Sequence, residues 1–211
     1  MTARRVIVWR HGRTSWNATG RYQGQADIPL DDLGLQQAAA AAQVIKELKP
    51  VAIYSSDLSR AAQTSQALAD LTGLEINYDR RLREISVGSW EGLTHDEAAQ
   101  ADPGLVAAVD AGEDVRRSLT GETTGEVARR AAAAFADIID ATDDDATVVI
   151  TMHGTAGRVG IGQFLGLDWD RLGSLRNCAW VVLERHPRGH WYIGAYNAHA
   201  EFVVPDDDRV A

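Results

Sequence analysis

The sequence has almost no cysteine and no long apolar run. Cys178 is the only cysteine among 211 residues, which excludes an internal disulfide and a thiolate metal cluster. The apolar run at 6–9 is far too short for the core of a signal peptide. No later run reaches the roughly 20 residues of a membrane span. These absences predict a cytoplasmic protein that has no membrane partner.

The sequence also has fewer positively charged residues than negatively charged ones. The chain has 21 lysines and arginines against 30 aspartates and glutamates, a formal net charge of −9. This balance opposes binding to nucleic acid or to an anionic membrane surface, so neither is predicted as a partner. It remains compatible with a phosphorylated substrate, because a few converging arginines set the local field in a cleft.

Short apolar runs alternate with alanine-rich segments over most of the chain. The runs are typical of buried strands and the alanine-rich segments of helices. We therefore predict an α/β fold, a three-layer α/β/α sandwich whose central sheet is mostly parallel with an antiparallel edge strand. Strands are predicted at 6–9, 52–55, 75–78, 147–151, 179–184 and 191–196. Helices are predicted at 34–48, 59–71, 94–101, 124–141 and 155–165.

The chain is short enough to form one core, since splitting into domains begins at roughly 250–300 residues. We predict a single domain over 1–211, with a cap-like insertion at about 90–124. Pro103 and several glycines make this insertion the least regular part of the sequence. Cys178 is predicted to lie within a strand as a small buried residue.

Residues that could bind and transfer phosphate follow the predicted strands. His11 comes directly after Arg10 at the end of the first strand, and Arg60 lies one turn into the helix after the second. Glu84 follows the third strand and His153 follows the fourth. Because ligands bind beyond the carboxyl ends of strands in open α/β sheets, these side chains are expected to converge on one site.

The residue types suit phosphoryl transfer without a metal. Imidazole, with an ordinary pKa of about 6.5, is largely neutral near pH 7 and is then a competent nucleophile. Arginine presents planar donor forks that match phosphoryl oxygens. A partly buried glutamate with a raised pKa could protonate the leaving alkoxide. Since the cationic cluster neutralises the transferring group, neither a metal nor another cofactor is predicted.

Four segments resemble, in the same chain order, the motifs of the histidine phosphatase superfamily, also called the phosphoglycerate mutase-like family. They are Arg10-His11-Gly12 with Thr14 and Asn17, the segment 55–61, Leu82-Arg83-Glu84, and His153-Gly154. The similarity runs roughly from Arg5 to Ala198. It implies the phosphoglycerate mutase-like fold and metal-independent hydrolysis of a phosphomonoester through a phosphohistidine intermediate.

The resemblance also implies roles for the matching positions. His11 would be the phosphorylated nucleophile and Glu84 the proton donor. Arg10, Arg60 and His153 would clamp the phosphoryl oxygens. The other positions expected to bind or border the substrate are Thr14, Asn17, Gln23, Gly24 and Gly154.

Arg13 departs from the family pattern, which usually has Glu or Gln after the glycine. The extra cation could bind a second anionic group of the substrate, such as a carboxylate, and on that basis Arg13 is a further candidate for substrate binding. It could equally pair with an acidic neighbour, so both interpretations stay open.

The stretch after Glu84, at 85–92, resembles the phosphatase branch of the family and not the mutase branch. The substrate that the resemblance implies first is glucosyl-3-phosphoglycerate or a similar small phosphorylated metabolite. The alternatives are a broad-specificity phosphatase and a cofactor-dependent phosphoglycerate mutase. A phosphate-binding pseudoenzyme is disfavoured, because every expected catalytic position is filled. Relatives suggest a homodimer through the edge hairpin.

Overall fold

The structure, a computed structural model, describes residues 3–143 and 145–201. Its sheet is made of β1 (Arg5–Arg10), β2 (Pro50–Ser55), β3 (Ile76–Tyr78), β4 (Thr147–Met152), β5 (Trp180–Arg185) and β6 (Trp191–Ala198). Across the sheet the order is β3-β2-β4-β1-β5-β6. The first four strands in that order run parallel, β5 pairs antiparallel with β1, and β6 pairs antiparallel with β5. The predicted mostly parallel sheet with an antiparallel edge is confirmed.

Helices cover both faces of this sheet. They are α1 (Ser15–Ala18), α2 (Asp32–Ile45), α3 (Ser59–Thr72), α4 (His95–Ala101), α5 (Pro103–Asp110), α6 (Thr124–Asp140) and α7 (Gly154–Leu165). α2 and α3 pack on one face, and α6 and α7 pack on the other, which gives the three predicted layers. In the described part of the chain, no helix is long and apolar enough to cross a membrane.

The central strands have apolar side chains on both faces. In β1, Ile7 and Trp9 pack with α2 and α3, whereas Val6 and Val8 pack with α6 and α7. All six residues of neighbouring β4 are buried. Because successive side chains of a strand point to opposite faces, a strand covered on both sides must be apolar throughout. This explains the continuous apolar runs in the sequence.

The loop after β1 lies directly against the start of α2. A Cβ atom added at Gly12 would lie 2.5 Å from the carbonyl oxygen of Gly34. A Cβ atom added at Gly34 would lie 2.0 Å from the carbonyl oxygen of Arg13. Asp31 caps α2 by accepting the Gly34 N–H at 2.8 Å. The loop and the helix are therefore in main-chain contact, which holds the segment after β1 close to the sheet.

The segment 90–124 packs against the chain around Tyr22. The Tyr22 N–H donates to the Leu93 carbonyl at 2.8 Å, and the Gly92 N–H donates to the Tyr22 carbonyl at 2.9 Å. The segment is more regular than predicted, because α5 begins at Pro103. Proline is well suited to the first turn of a helix, where its missing N–H has no intrahelical partner to lose.

Two further local predictions are corrected by the structure. Cys178 lies in the turn before β5 with a φ of 55°, not within a strand. It is buried as predicted, and burial raises the pKa of its thiol. The helix predicted at 34–48 begins earlier, at Asp32, and its last turn, Lys46–Leu48, is a 3₁₀ helix.

Candidate active site

His11 leaves the end of β1 and is only 2% exposed. Its N–H donates to the carbonyl of Met152, the last residue of β4, at 3.0 Å. Its carbonyl accepts the N–H of Cys178 at 3.1 Å. Hydrogen bonds to the chain on both sides therefore hold the main chain of His11 at the carboxyl ends of the two central strands.

Hydrogen bonding also assigns the tautomer of His11. Its Nδ1 lies 2.7 Å from the carbonyl oxygen of Gly12, and because a carbonyl only accepts, Nδ1 carries the proton. Nε2 therefore has the lone pair. Burial, followed by the charges of Arg60 and Arg10, holds the pKa of His11 well below its ordinary 6.5, against the raising effect of the Gly12 bond. At neutral pH the ring is neutral and presents a nucleophilic nitrogen.

Arg60 is fully buried at the site. Its guanidinium group donates to Nδ1 of His153 at 3.2 Å and to the carbonyls of Ala26 and Gly24 at 2.8 Å each. Burial lowers the pKa of Arg60 to about 10, although the charge of Glu84 acts in the opposite direction. The side chain is thus a cation at neutral pH, with its donor fork oriented by fixed acceptors.

His153 lies beside His11, with the two ring centroids 5.1 Å apart. Its Nδ1 accepts from Arg60, so Nε2 carries the proton and donates to Oγ of Ser56 at 2.9 Å. Burial, followed by the charge of Arg60, holds the pKa of His153 well below 6.5. His153 is therefore neutral, and both of its ring nitrogens are bonded to protein groups.

Arg10 passes over the first turn of α7. A Cβ atom at Gly154 would lie 3.3 Å from Nε and 3.4 Å from Cζ of Arg10, so the glycine leaves the space that the guanidinium needs. Nη1 of Arg10 donates to the carbonyl of Leu175. Two arginines and the positive end of a helix are thus brought to one place, an arrangement suited to a phosphoryl group.

Glu84 is partly buried, and its carboxylate lies at the N-terminus of α7. Oε1 accepts the N–H groups of Ile85 at 2.8 Å and Ala156 at 2.9 Å, and Oε2 accepts the N–H of Thr155 at 3.1 Å. These three bonds fix the carboxyl group in the wall of the cavity that also contains His11.

Asn17, Gln23 and Gly24 supply another wall of the cavity. Oδ1 of Asn17 accepts from the Thr14 N–H and from Nδ2 of Asn177, both at 3.2 Å. The amide NH2 of Asn17 is therefore the group left to bind a ligand. Thr14 is buried, where it caps α1 by accepting the Asn17 N–H at 3.1 Å and contacts Oε1 of Gln23 at 3.0 Å.

The cavity between these side chains has a volume of about 160 Å³. It is lined by seven of the predicted site residues: Arg10, His11, Asn17, Gln23, Gly24, Arg60 and Glu84. It is also lined by five residues that the motifs did not assign: Arg21, Tyr22, Ile85, Val87 and Thr155. Each of these five residues lies within three positions of a motif residue in the sequence, and this closeness is the feature from which they could have been predicted.

Four residues predicted to bind substrate are not among the described residues that line the cavity. Arg13 forms an ion pair with Asp31, with 2.9 Å between Nε and Oδ2 and side chains 24% and 21% exposed. Of the two interpretations of this cation, the structure therefore shows the pair with an acidic neighbour. The others are Thr14, which caps α1, His153, which binds Arg60, and Gly154, which makes room for Arg10. Their contact with substrate stays a prediction.

Metal ligands are not grouped in the part of the chain that the structure describes. Among those residues, no three His, Cys, Asp or Glu side chains lie together as a metal site. The histidines at the site are instead bonded to a carbonyl, an arginine and a serine.

Residues 6–199 match the histidine phosphatase superfamily (branch 1). The chain is 37% identical over 221 residues to glucosyl-3-phosphoglycerate phosphatase of Mycolicibacterium vanbaalenii, covering 95% of this chain and 97% of that relative. It is 35% identical over 176 residues to a probable phosphoglycerate mutase of Salmonella paratyphi A, covering 82% and 81%. The solved structure of mycobacterial glucosyl-3-phosphoglycerate phosphatase with VO3 matches with a TM-score of 0.85 at 35% identity, covering 92% of this chain and 99% of that one.

Proposed function

The chain belongs to the histidine phosphatase superfamily, and from this premise we propose that it hydrolyses glucosyl-3-phosphoglycerate, or a similar small phosphorylated metabolite, through a phosphohistidine on His11. It is a phosphatase enzyme with the phosphoglycerate mutase-like fold. The observation that carries the proposal is the lone pair on Nε2 of His11, buried beside two arginines in a cavity that also contains Glu84. The relatives named for this substrate support its choice.

In the first step the lone pair of His11 Nε2 attacks phosphorus. The N–P bond forms while the P–O bond to the leaving alcohol breaks, and the carboxyl proton of Glu84 passes to the leaving oxygen. Arg10 and Arg60 bind the phosphoryl oxygens and neutralise their charge. Because phosphoryl transfer depends mainly on positioning and electrostatics, this set of groups is sufficient.

In the second step a water molecule attacks the phosphohistidine. Its proton passes to the Glu84 carboxylate, a P–O bond forms, and the N–P bond breaks with its electron pair returning to Nε2. Inorganic phosphate leaves, and His11 and Glu84 are back in their starting states. A cytoplasmic location for this reaction is part of the proposal, and a homodimer through the β5–β6 hairpin stays a prediction.

The proposal is tested by measuring phosphate release from glucosyl-3-phosphoglycerate in EDTA, against a panel of other phosphomonoesters. We expect a strong preference for the glucosylated ester and no loss in the chelator. His11→Ala should abolish turnover, while His95→Ala, which removes an exposed histidine on α4, should leave it unchanged.

Three results would contradict parts of the proposal. Equal activity in His11→Ala and wild type would remove His11 as the nucleophile. Comparable low rates across the panel would favour the broad-specificity phosphatase. Exchange of 3- and 2-phosphoglycerate primed by the bisphosphate, without release of free phosphate, would favour the mutase that the Salmonella relative is named for.

A further inference from the structure

Arg130 on α6 binds the main chain of the segment that carries Glu84. Its Nη1 donates to the carbonyl oxygens of Arg81 at 2.7 Å and Arg83 at 2.6 Å. Its Nη2 donates to the carbonyl oxygen of Glu84 at 2.9 Å. The carbonyls of Arg83 and Glu84 belong to the two peptide groups on either side of the Glu84 Cα atom. Together these two bonds therefore fix the direction in which the Glu84 side chain leaves the backbone.

Glu122, just before α6, completes this arrangement. Its carboxylate accepts from Nε and Nη2 of Arg130 at 2.9 and 2.8 Å, and Oε2 also accepts the Ser86 N–H at 2.8 Å. Burial acts to raise the pKa of Glu122, but the bonds from Arg130 and Ser86 outweigh it and lower the pKa. The two side chains are thus an ionised, partly buried pair, in which Glu122 orients Arg130 and binds the chain two residues after Glu84.

We propose that Arg130, oriented by Glu122, is a positioning residue that sets the Glu84 carboxyl group against the leaving oxygen of the substrate. The inference rests on the proposed function, since it assumes that Glu84 donates the proton. The far end of the Glu84 side chain is already bonded to the first turn of α7. With the backbone also fixed, the carboxyl group is held from both ends, and a misplacement of about 1 Å would cost on the order of 10²-fold in rate.

A purely structural brace between α6 and the Glu84 segment would contain the same bonds. The two roles differ in how the rate depends on the leaving group. An alkyl phosphate needs a proton on its leaving alkoxide, whereas an aryl phosphate such as p-nitrophenyl phosphate releases a stable anion that needs little help. A residue that acts through the proton donor therefore affects alkyl esters selectively. A residue that only stabilises the fold affects both esters alike.

The experiment compares kcat/KM, which covers the steps up to release of the alcohol, for two esters. They are p-nitrophenyl phosphate and an alkyl phosphate that the wild type accepts, with glucosyl-3-phosphoglycerate tried first. Glu84→Gln should lose on the order of 10²–10⁴-fold on the alkyl ester, the usual worth of general acid catalysis. Arg130→Gln should lose about 10²-fold on the alkyl ester and only a few-fold on the aryl ester. Arg129→Gln, an exposed neighbour on α6, is the matched control and should lose neither.

Equal losses of Arg130→Gln on both esters would overturn the proposal and leave Arg130 as a brace. If Glu84→Gln itself shows no dependence on the leaving group, the proton donor of the proposed function is wrong, a failure distinct from that of Arg130. Folding is checked by circular dichroism and by binding of orthovanadate, a phosphoryl mimic whose expected site at His11 and Arg10 the substitution leaves intact.

Should Arg130→Gln not fold, Glu122→Gln decides the question. It keeps the shape of the side chain but removes its charge and one of the two acceptor oxygens that bind Arg130. We then expect an alkyl-selective loss of about 10-fold, smaller than for Arg130→Gln because the arginine remains. An equal or absent effect on the two esters would overturn the proposal in this variant as well.

Discussion

At the scale of single residues, the two buried histidines of the site have opposite tautomers. His11 carries its proton on Nδ1, which faces the Gly12 carbonyl, whereas His153 carries it on Nε2, which faces Ser56. Within residues 3–143 and 145–201, Arg60 donates to the lone pair of His153, whereas the hydrogen bond of the His11 ring is made through Nδ1 and not through its lone pair on Nε2. Both rings are neutral, but of the two only His11 lines the cavity with a nitrogen lone pair that can attack a substrate. The hydrogen bonds therefore identify His11, and not His153, as the nucleophile of the proposed reaction.

This assignment predicts the titration of His11 in the free enzyme. Because its pKa is lowered, the neutral ring should persist as pH falls below 6.5, and protonation should occur only well below that value. Nitrogen NMR of the histidine-labelled protein reports both tautomer and pKa, with His11→Ala and His153→Ala spectra to assign the signals. A His11 signal that titrates near 6.5, or that shows the proton on Nε2, would contradict the prediction.

At the scale of elements, the sequence predicted the strands and helices that are marked by a continuous apolar run or a helical period within a short stretch of chain. The strands β1 and β4 were found from their apolar runs, and the residues that follow them were placed at one edge by sheet topology alone. The short helix α1 and the helix α5 were missed, because neither has an apolar period long enough to be recognised. The ion pair of Arg13 stayed one of two alternatives, since its partner is the cap of a helix 18 residues away.

The bonds of Arg130 were beyond sequence reasoning for the same reason. They join α6 to a 3₁₀ turn and loop 46 to 49 residues earlier in the chain. From sequence alone, an arginine on a helix is interpreted as a solvent-exposed charge, because the carbonyl groups that it could bind are not visible in the sequence. The sequence does not show which backbone carbonyl groups lie close to this arginine in the folded protein, so its hydrogen bonds to the main chain could not be predicted.

The Arg13–Asp31 pair at the start of α2 gives a prediction for that element. Both side chains are partly exposed, so Arg13→Gln should lower the free energy of unfolding by only about 0.2–1 kcal/mol. Asp31→Asn keeps the helix cap, because asparagine caps as well as aspartate. A double-mutant cycle in urea measures the coupling, with kcat/KM expected to be nearly unchanged. A rise in KM of about tenfold or more in Arg13→Gln would instead place Arg13 on the substrate.

At the scale of the whole molecule, an acidic chain encloses a cationic site. The net charge is −9, yet the described residues that line the cavity include three arginines, Arg10, Arg21 and Arg60, and one carboxylate, Glu84. Anion binding therefore depends on the local cluster and not on the overall charge. Burial, reinforced by the charges of the same cluster, keeps His11 and His153 neutral, which links the chemistry of the site to the stability of the fold.

That link predicts how global stability depends on pH. The unfolded chain protonates both histidines near pH 6.5, whereas the folded chain protonates them only well below it. The unfolded state thus binds more protons in this window, and stability should fall as pH drops below 6.5, by up to about 1.4 kcal/mol per pH unit for each histidine. Urea unfolding at about pH 7.5, 6.5 and 5.5 measures the slope. A matching slope in a His11→Gln, His153→Gln double variant would show that other groups cause it.

The main-chain contact between the loop after β1 and the start of α2 restricts how this protein can evolve. A crowded contact between two side chains can be relieved by a second mutation that makes the neighbour smaller. At Gly12 and Gly34 an added Cβ atom would clash with carbonyl oxygens of the backbone itself, and no mutation can remove a backbone oxygen. A change at either glycine therefore has no compensating change at its neighbour, and any lineage that keeps this loop must inherit the two glycines together.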